Sequence, residues 1–330
     1  ACRLLTMVRC AIRNDLGRRM TNNDNEQSEP RMAPDMWSFE ALYAQAPQLD
    51  GERLRAALAE RLGDVELLMD GETILLALHD YTVDYSDKKG VPSEIAILHA
   101  DKPCTPSDYT EALQQTWDWP EKESALAQCR HCVLVSEFMG RGLETEERLE
   151  ILQAVMHVLI ENGGVTAISQ SNAACLINPA RYIEAHAEGF IYYGVLNVRF
   201  FSISNRPGEM LMDTLGGAAF GVPDVQCHFL KLDPAAVSPY LFNAGVYLVQ
   251  NGDVIEDGHT LPSIDGQSKW PCQHEDALVP PERLVVDVNP GAGLAAGGRE
   301  RLTSPLHAGS RAGSVHAHVI ALANRQTVVA

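Results

Sequence analysis

The chain has no run approaching the ~18–20 consecutive apolar residues of a membrane span. Residues 1–10 lack the ~7–15-residue apolar stretch and the small-residue cleavage site of a signal peptide. Positive charge is scarce: 26 Lys and Arg stand against 44 Asp and Glu, giving a formal net charge of −18 and a pI near 5.0. Such a balance repels phosphate backbones and anionic lipid, so neither nucleic acid nor a membrane is an expected partner. The eight cysteines are scattered and form no dense framework, which fits free thiols in a reducing cytoplasm better than secreted disulfides. No G-x-S-x-G elbow is present. The glycine-rich Gly216-Gly-Ala-Ala-Phe-Gly221 is neither a P-loop nor a G-x-G-x-x-G turn, and is expected to let the chain pass close to a neighbour. The expectation is a cytoplasmic, acidic protein without a familiar catalytic signature.

What is present is a middle that differs from both ends. Residues 1–32 carry six Arg and four acids, and residues 291–330 carry four Arg and one Glu, so 33–290 hold a net −23. The Gly/Ala/Arg/Ser/His-rich stretch 291–330 shows no helical or strand period and reads as a disordered tail. Residues 1–36 read as a disordered or non-native extension, with translation starting at Met20, Met32 or Met36 as one explanation.

Between the ends, three helices are expected. The first follows Asp50 as N-cap over 51–62, with Leu54, Leu58 and Leu62 on one face. The second spans about 146–161, with Leu149, Leu152, Met156 and Leu159 aligned. The third spans about 234–250, opened by Asp233-Pro234. The second and third both close on Asn-Gly, at Gly163 and Gly252. Short apolar strands flank them at 38–44, 65–69, 73–78, 94–98, 132–136, 165–169 and 224–229. Val254-Ile255 adds a short strand, and Asp70-Gly71 and Asp257-Gly258 mark hairpins. The fold expected is α+β: two ferredoxin-like halves, 37–104 and 130–290, with mixed sheets and helices on one face. A helical connector, 105–129, joins them; it opens on Thr105-Pro-Ser-Asp108, a capping-box pattern. Its Trp117 and Trp119 are expected to clamp one half onto the other.

Several strings, in order, resemble a bacterial family called domain of unknown function 4261. They are Trp119-Pro120, Thr214-Leu215-Gly216, Gly221-Val-Pro-Asp-Val225, Asn251-Gly-Asp-Val-Ile-Glu-Asp-Gly-His-Thr260, Trp270-Pro-Cys-Gln-His-Glu-Asp276 and Glu282-Arg283. The resemblance covers about 37–290 and concentrates in a module at 211–290. It implies a cytosolic bacterial protein of no established activity, with some members similar to accessory or immunity proteins of toxin systems.

Candidate functional residues lie mostly in that module: His228, Asp253, Glu256, Asp257, His259 and His274. Cys227, His228, His259, Cys272 and His274 are the side chains that could ligate zinc. Adjacent Cys227 and His228 face opposite sides of a strand, and the usual zinc spacings are missing. The acids of 251–260 do not alternate as a calcium loop requires, and turn chemistry accounts for them. Cys129-Arg-His-Cys132 precedes a strand, so it lacks the helix N-terminus that activates redox thiols. Tyr81, Val83 and Tyr85 read as one half-buried strand face, and His157 as a helix-surface histidine. The leading expectation is a non-enzymatic binding, accessory or immunity-type protein that meets a basic toxin domain. The alternative is a metal-assisted hydrolase built on His228, His259, Cys272 and His274 with Asp257 or Glu256 as base.

Overall fold

A computed structural model describes residues 37–100, 104–140, 142–297 and the backbone of 306–308. The expected disorder of residues 1–36, the three candidate start methionines and most of the tail fall outside the described residues. Each expected helix forms where its caps place it. Helix α1, Gly51–Leu62, starts with the Asp50 carboxylate accepting from Arg53 N at 3.0 Å and stops at Gly63, whose φ is 83°. It buries Leu54, Leu58 and Leu62.

The described strands form two seven-stranded sheets. The first contains β1 (Ser38–Tyr43), β2 (Val65–Met69), β3 (Thr73–Val83), β4 (Val91–His99), β5 (His131–Phe138), β6 (Val165–Gln170) and β7 (Cys175–Ile177). Its order is β2-β3-β4-β5-β1-β6-β7, and every pairing is antiparallel. Strand β1 is flanked by β5 on one edge and β6 on the other. Those two run parallel to each other and are joined by helix α4, Thr145–Asn162.

The division between the sheets therefore differs from the one drawn at 105–129. Residues 131–177 complete the first sheet because β1 has hydrogen-bonding edges on both sides, and β5 and β6 satisfy them. Helices also cover both faces rather than one. On the inner face, α1 and α4 pack over Phe39, Ile97, Val133 and Ile168. On the outer face, Leu42, Cys132, Ala167 and Leu176 meet the connector, which contains α2 (Thr110–Gln115) and α3 (Lys122–Leu126). Alternation along β1 and β5 makes both faces apolar at this end, so both need cover.

The second sheet contains β8 (Asn197–Ile203), β9 (Glu209–Leu215), β10 (Asp224–Leu230), β11 (Thr260–Pro262), β12 (Lys269–Asp276), β13 (Leu284–Val288) and β14 (Leu306–Ala308). Its order is β11-β12-β13-β10-β9-β8-β14, mixed by one parallel pair, β10 with β13. Helix α6, Pro234–Asn251, lies in the crossover between them. Asp233 caps it by accepting from Ala235 N at 3.0 Å, and Gly252 (φ 80°) ends it. Helix α5, Pro179–Ala187, and strands β7, β8 and β9 had no expected counterpart. Val254-Ile255 is not a strand: Ile255 is buried from an irregular segment before the Asp257-Gly258 turn, and Val254 is exposed. Gly291–Gly297 also belongs to the fold, since Leu230 N donates to Leu294 O and Ala296 N to His228 O.

The inner faces share one continuous hydrophobic cluster, with Trp37 of the first sheet edge-on to Phe220 beside the second at 4.9 Å. The connector ties the other side. Gln115 accepts from Phe200 N at 2.9 Å while its Nε2 donates to Phe200 O at 3.4 Å. Next to it, Thr116 Oγ1 accepts from Leu176 N at 2.8 Å. Trp119 is buried against the first sheet, and the half-buried Trp117 ring lies 6.1 Å from Phe200 of the second.

Candidate functional site

The residues singled out in the module occupy three separate places. His274 sits on β12 in line with Trp270 and Cys272, at the point where the buried face of the strand gives way to the surface. Its Nε2 meets Asp253 Oδ1 at 3.0 Å, and its Nδ1 meets Asp257 Oδ1 at 3.0 Å. The same Asp257 oxygen accepts the His274 backbone N–H at 2.7 Å. Asp253 is placed by the end of α6 and Asp257 by the turn at Asp257-Gly258, so one imidazole pins the helix end, the turn and the strand together. Burial pulls the His274 pKa down, but hydrogen bonds and charge from Asp253 and Asp257 outweigh it and the pKa is raised. With both ring nitrogens engaged by carboxylates, neither lone pair is presented to a substrate or an ion.

His259 stays on the surface, where its Nδ1 accepts from Glu256 N at 3.2 Å and its Nε2 lies 3.5 Å from Glu256 Oε2. Cys272 and Cys227 belong to the hydrophobic core, with thiol pKa values raised chiefly by burial, Cys272 to about 11. His228 is on the opposite face of β10 from Cys227. Its Nε2 lies 3.1 Å from Glu209 Oε2, and burial, ahead of the opposing pull of Glu209, lowers its pKa. The five possible ligands Cys227, His228, His259, Cys272 and His274 do not converge. Among the described residues, no three His, Cys, Asp or Glu side chains are placed to hold one metal ion. The acid–base set named for the hydrolase alternative is dispersed in the same way.

Cys129 and Cys132 are both buried, and burial raises their thiols, Cys129 to about 11. Each is a protonated core group at neutral pH, without the electropositive setting that a redox thiol requires.

A more concentrated feature lies on the second face of the second sheet and has no counterpart in the sequence-level list. Register puts Arg199 opposite Asp213, Asp213 opposite Gln226, and Gln226 opposite Asp287, so these side chains form one row across four strands. Arg199 donates twice to Asp213, at 3.0 and 2.7 Å. Arg283 bridges Asp213 at 2.6 Å and Asp224 at 2.8 Å. Asp224 also accepts from Gly217 N and Thr214 Oγ1. Both aspartates and Arg199 are at most 1% exposed. Burial pushes the Asp224 pKa up against the pull of Arg283, whereas the two carboxylates overcome burial and raise that of Arg283. The segment 277–283 folds over this row. Its Pro280 O accepts from Arg199, its Val279 O and Pro281 O accept from Arg283, and Leu278 N donates to Gln226.

The glycine-rich stretch serves the same place. Gly216 has φ 133°, and a Cβ there would sit 2.1 Å from Val195 O. Only glycine allows the backbone to pass Val195 and deliver Gly217 N to Asp224.

Four residues quoted for the family resemblance meet in space: Thr214, Gly216, Asp224 and Arg283 are members of this one arrangement or its support, whereas the strings at 251–260 and 270–276 lie elsewhere. Residues 213–289 match the family described as domain of unknown function (DUF4261). The DUF4261 span contains every buried charged member of the row except Arg199, which β8 supplies from just before it. No curated protein and no solved structure matches the chain.

Two concavities among the described residues lie away from this row. One, of only about 30 Å³, lies between Thr116, Asp118, Cys175, Tyr193 and Phe242 and is water-sized. The other is an open groove of about 230 Å³ lined by Arg61, Glu150, Gln153, His157 and His186. No helix among the described residues is long and apolar enough to cross a membrane.

Proposed function

We propose that the protein works by binding a partner, not by catalysis, as a cytosolic bacterial accessory or immunity-type protein whose partner carries a basic surface. The observation that carries this reading is how the charges of the DUF4261 module divide. Its buried ions, Asp213, Asp224 and Arg283, are consumed by one another, by Arg199 and by backbone groups. Its exposed ions are mostly carboxylates, with Lys231 and Lys269 as exposed cations: the Glu256 side chain is 80% exposed and that of Asp257 is 65% exposed. Residues 33–290 as a whole hold a net −23. Such a surface steers a basic partner and makes association fast and salt-sensitive. In the first sheet, β5, α4 and β6 straddle β1, which supports reading that half as an extended ferredoxin-like unit.

The test is capture of a basic partner by the immobilised full chain from its native host, at ~50 mM and ~500 mM salt. Glu256→Gln together with Asp276→Asn removes two exposed charges without touching the His274 contacts. A partner that binds at low salt, is lost at high salt and binds the double variant more slowly supports the reading. Recovery of no protein at low salt refutes it.

A further inference from the structure

Helices α4 and α6 both have 18 residues, yet their surfaces differ in kind. Helix α4 carries five charged side chains, Glu146, Glu147, Arg148, Glu150 and Glu161, whereas α6 carries none. A surface helix normally places charge on the side turned away from the core. The inner side of α6 is apolar because Val237, Leu241, Ala244 and Leu248 are buried in the shared hydrophobic cluster. Its outer side repeats at i, i+4, i+7 and i+11 as Ala236, Tyr240, Asn243 and Tyr247. None of these four is buried, and Tyr247 is 47% exposed.

Two further apolar side chains border that stripe. Val254, 43% exposed, follows the C-terminal end of the helix, where Asn251 Nδ2 donates to Tyr247 O. Ile264, 37% exposed, lies just past β11, which Tyr240 ties to the helix by donating to Pro262 O at 2.9 Å. The Tyr240 ring also meets Trp270 edge-on at 5.1 Å, which holds it in place. Of the six exposed large apolar side chains among the described residues, three therefore belong to one uncharged helix and its borders. Apolar side chains gathered in this way mark an interaction surface, whereas scattered ones do not. Charge returns at the rim: Asp233 precedes the helix, Asp253, Glu256 and Asp257 follow it, and Asp265 adjoins Ile264. Lys231, Lys269 and His274 are the cations set against these five carboxylates.

On the basis of the partner-binding reading above, we propose that the outer face of α6 is the docking surface and that it receives a basic amphipathic helix of the partner. The apolar side chains of that helix rest on Tyr247, Val254 and Ile264, and its Lys or Arg side chains lie over the acidic rim. Helix α6 closes its backbone hydrogen bonds internally, so it offers no strand edge for an extended segment to join. Its outer side chains, one turn apart, form the kind of ridge against which a second helix packs, and Asn243 leaves a hollow between two tyrosines. A second copy of this chain fits less well, because residues 33–290 hold a net −23 and two acidic rims would face each other.

The probe is a fluorescein-labelled helical peptide of leucine and lysine with one apolar stripe; a second peptide has the same composition, shuffled to remove the stripe. Anisotropy titrations use the full chain at low salt. The wild type should bind the striped peptide at least about tenfold more tightly than the shuffled one. Tyr247→Asp separates docking from general attraction, since it removes an apolar anchor while making the surface more acidic. It should weaken the striped peptide at least about fivefold and leave the shuffled peptide unchanged or tighter. Val254→Asp, outside the helix, should act in the same direction, and circular dichroism checks that both variants keep the wild-type fold. Equal binding of the two peptides by the wild type, or undiminished binding of the striped peptide by both variants, overturns the α6 surface and leaves the basic-partner reading standing. If the wild type binds neither peptide, the α6 surface is likewise overturned, and capture from the host then decides the basic-partner reading by itself.

Discussion

At the scale of single residues, the molecule separates charges that hold its interior from charges that it displays. Asp213 is fully buried and receives both Arg199 and Arg283. Removing it leaves two guanidinium groups without their shared counter-ion, so Asp213→Ala should cost about 3–5 kcal/mol in urea unfolding. Glu111 also meets Arg199, at 3.1 Å, but its side chain is 64% exposed, and Glu111→Ala should cost less than about 1 kcal/mol. Equal losses from the two would contradict the account. His274 supplies the opposite case, a partly exposed group whose worth depends on pH. Its pKa is higher in the folded chain than the ordinary value of 6.5. A proton held more tightly in the folded state stabilises fully below the unfolded pKa and is lost as pH rises through the folded one. Wild-type stability relative to His274→Gln should therefore fall as pH rises above the ordinary value of 6.5, read from denaturation midpoints; parallel curves would show that the two aspartates do not hold the imidazolium.

At the scale of elements, caps and turns explain why sequence reading succeeded where it did. Asp50, Asp233 and Gly163 act within two or three residues of the backbone groups they satisfy, and Gly252 ends its helix with a positive φ, so local order alone reveals them. The expectation that the Gly216–Gly221 stretch permits a close approach is met by Val195 O. Gly216→Ala must displace that carbonyl or the turn, and should cost more than about 3 kcal/mol in thermal unfolding. Gly221 has φ 72° but open space around its Cα, so Gly221→Ala should cost only about 1–2 kcal/mol. A ranking in the reverse order would mean that backbone conformation, not the Val195 contact, governs this turn. Helix α5 escaped notice because it is short and its opening Asn178-Pro179 looks like any turn, although Asn178 does cap it through Ala180 N. His157 then read as a lone surface residue, its partner His186 being 29 positions away on that unseen helix.

At the scale of the whole molecule, two sheets share one core on their inner sides and are cross-tied by a connector on the outer side of the first. Local pattern determined the three long helices, the strands that flank them, and the boundaries at Gly63, Gly163 and Gly252, because period and capping are short-range properties. It also marked the region that matches DUF4261. Sheet membership was decided only in three dimensions. Strand β5 looks equally able to open a second half or to pair with β1, and what settles it is that β1 has two edges to satisfy. The buried row Arg199, Asp213, Gln226 and Asp287 was hidden for a related reason. Each residue alone is an ordinary polar position on a strand, and only the register of four strands, closed over by residues 277–283, turns them into one neutralised interior site.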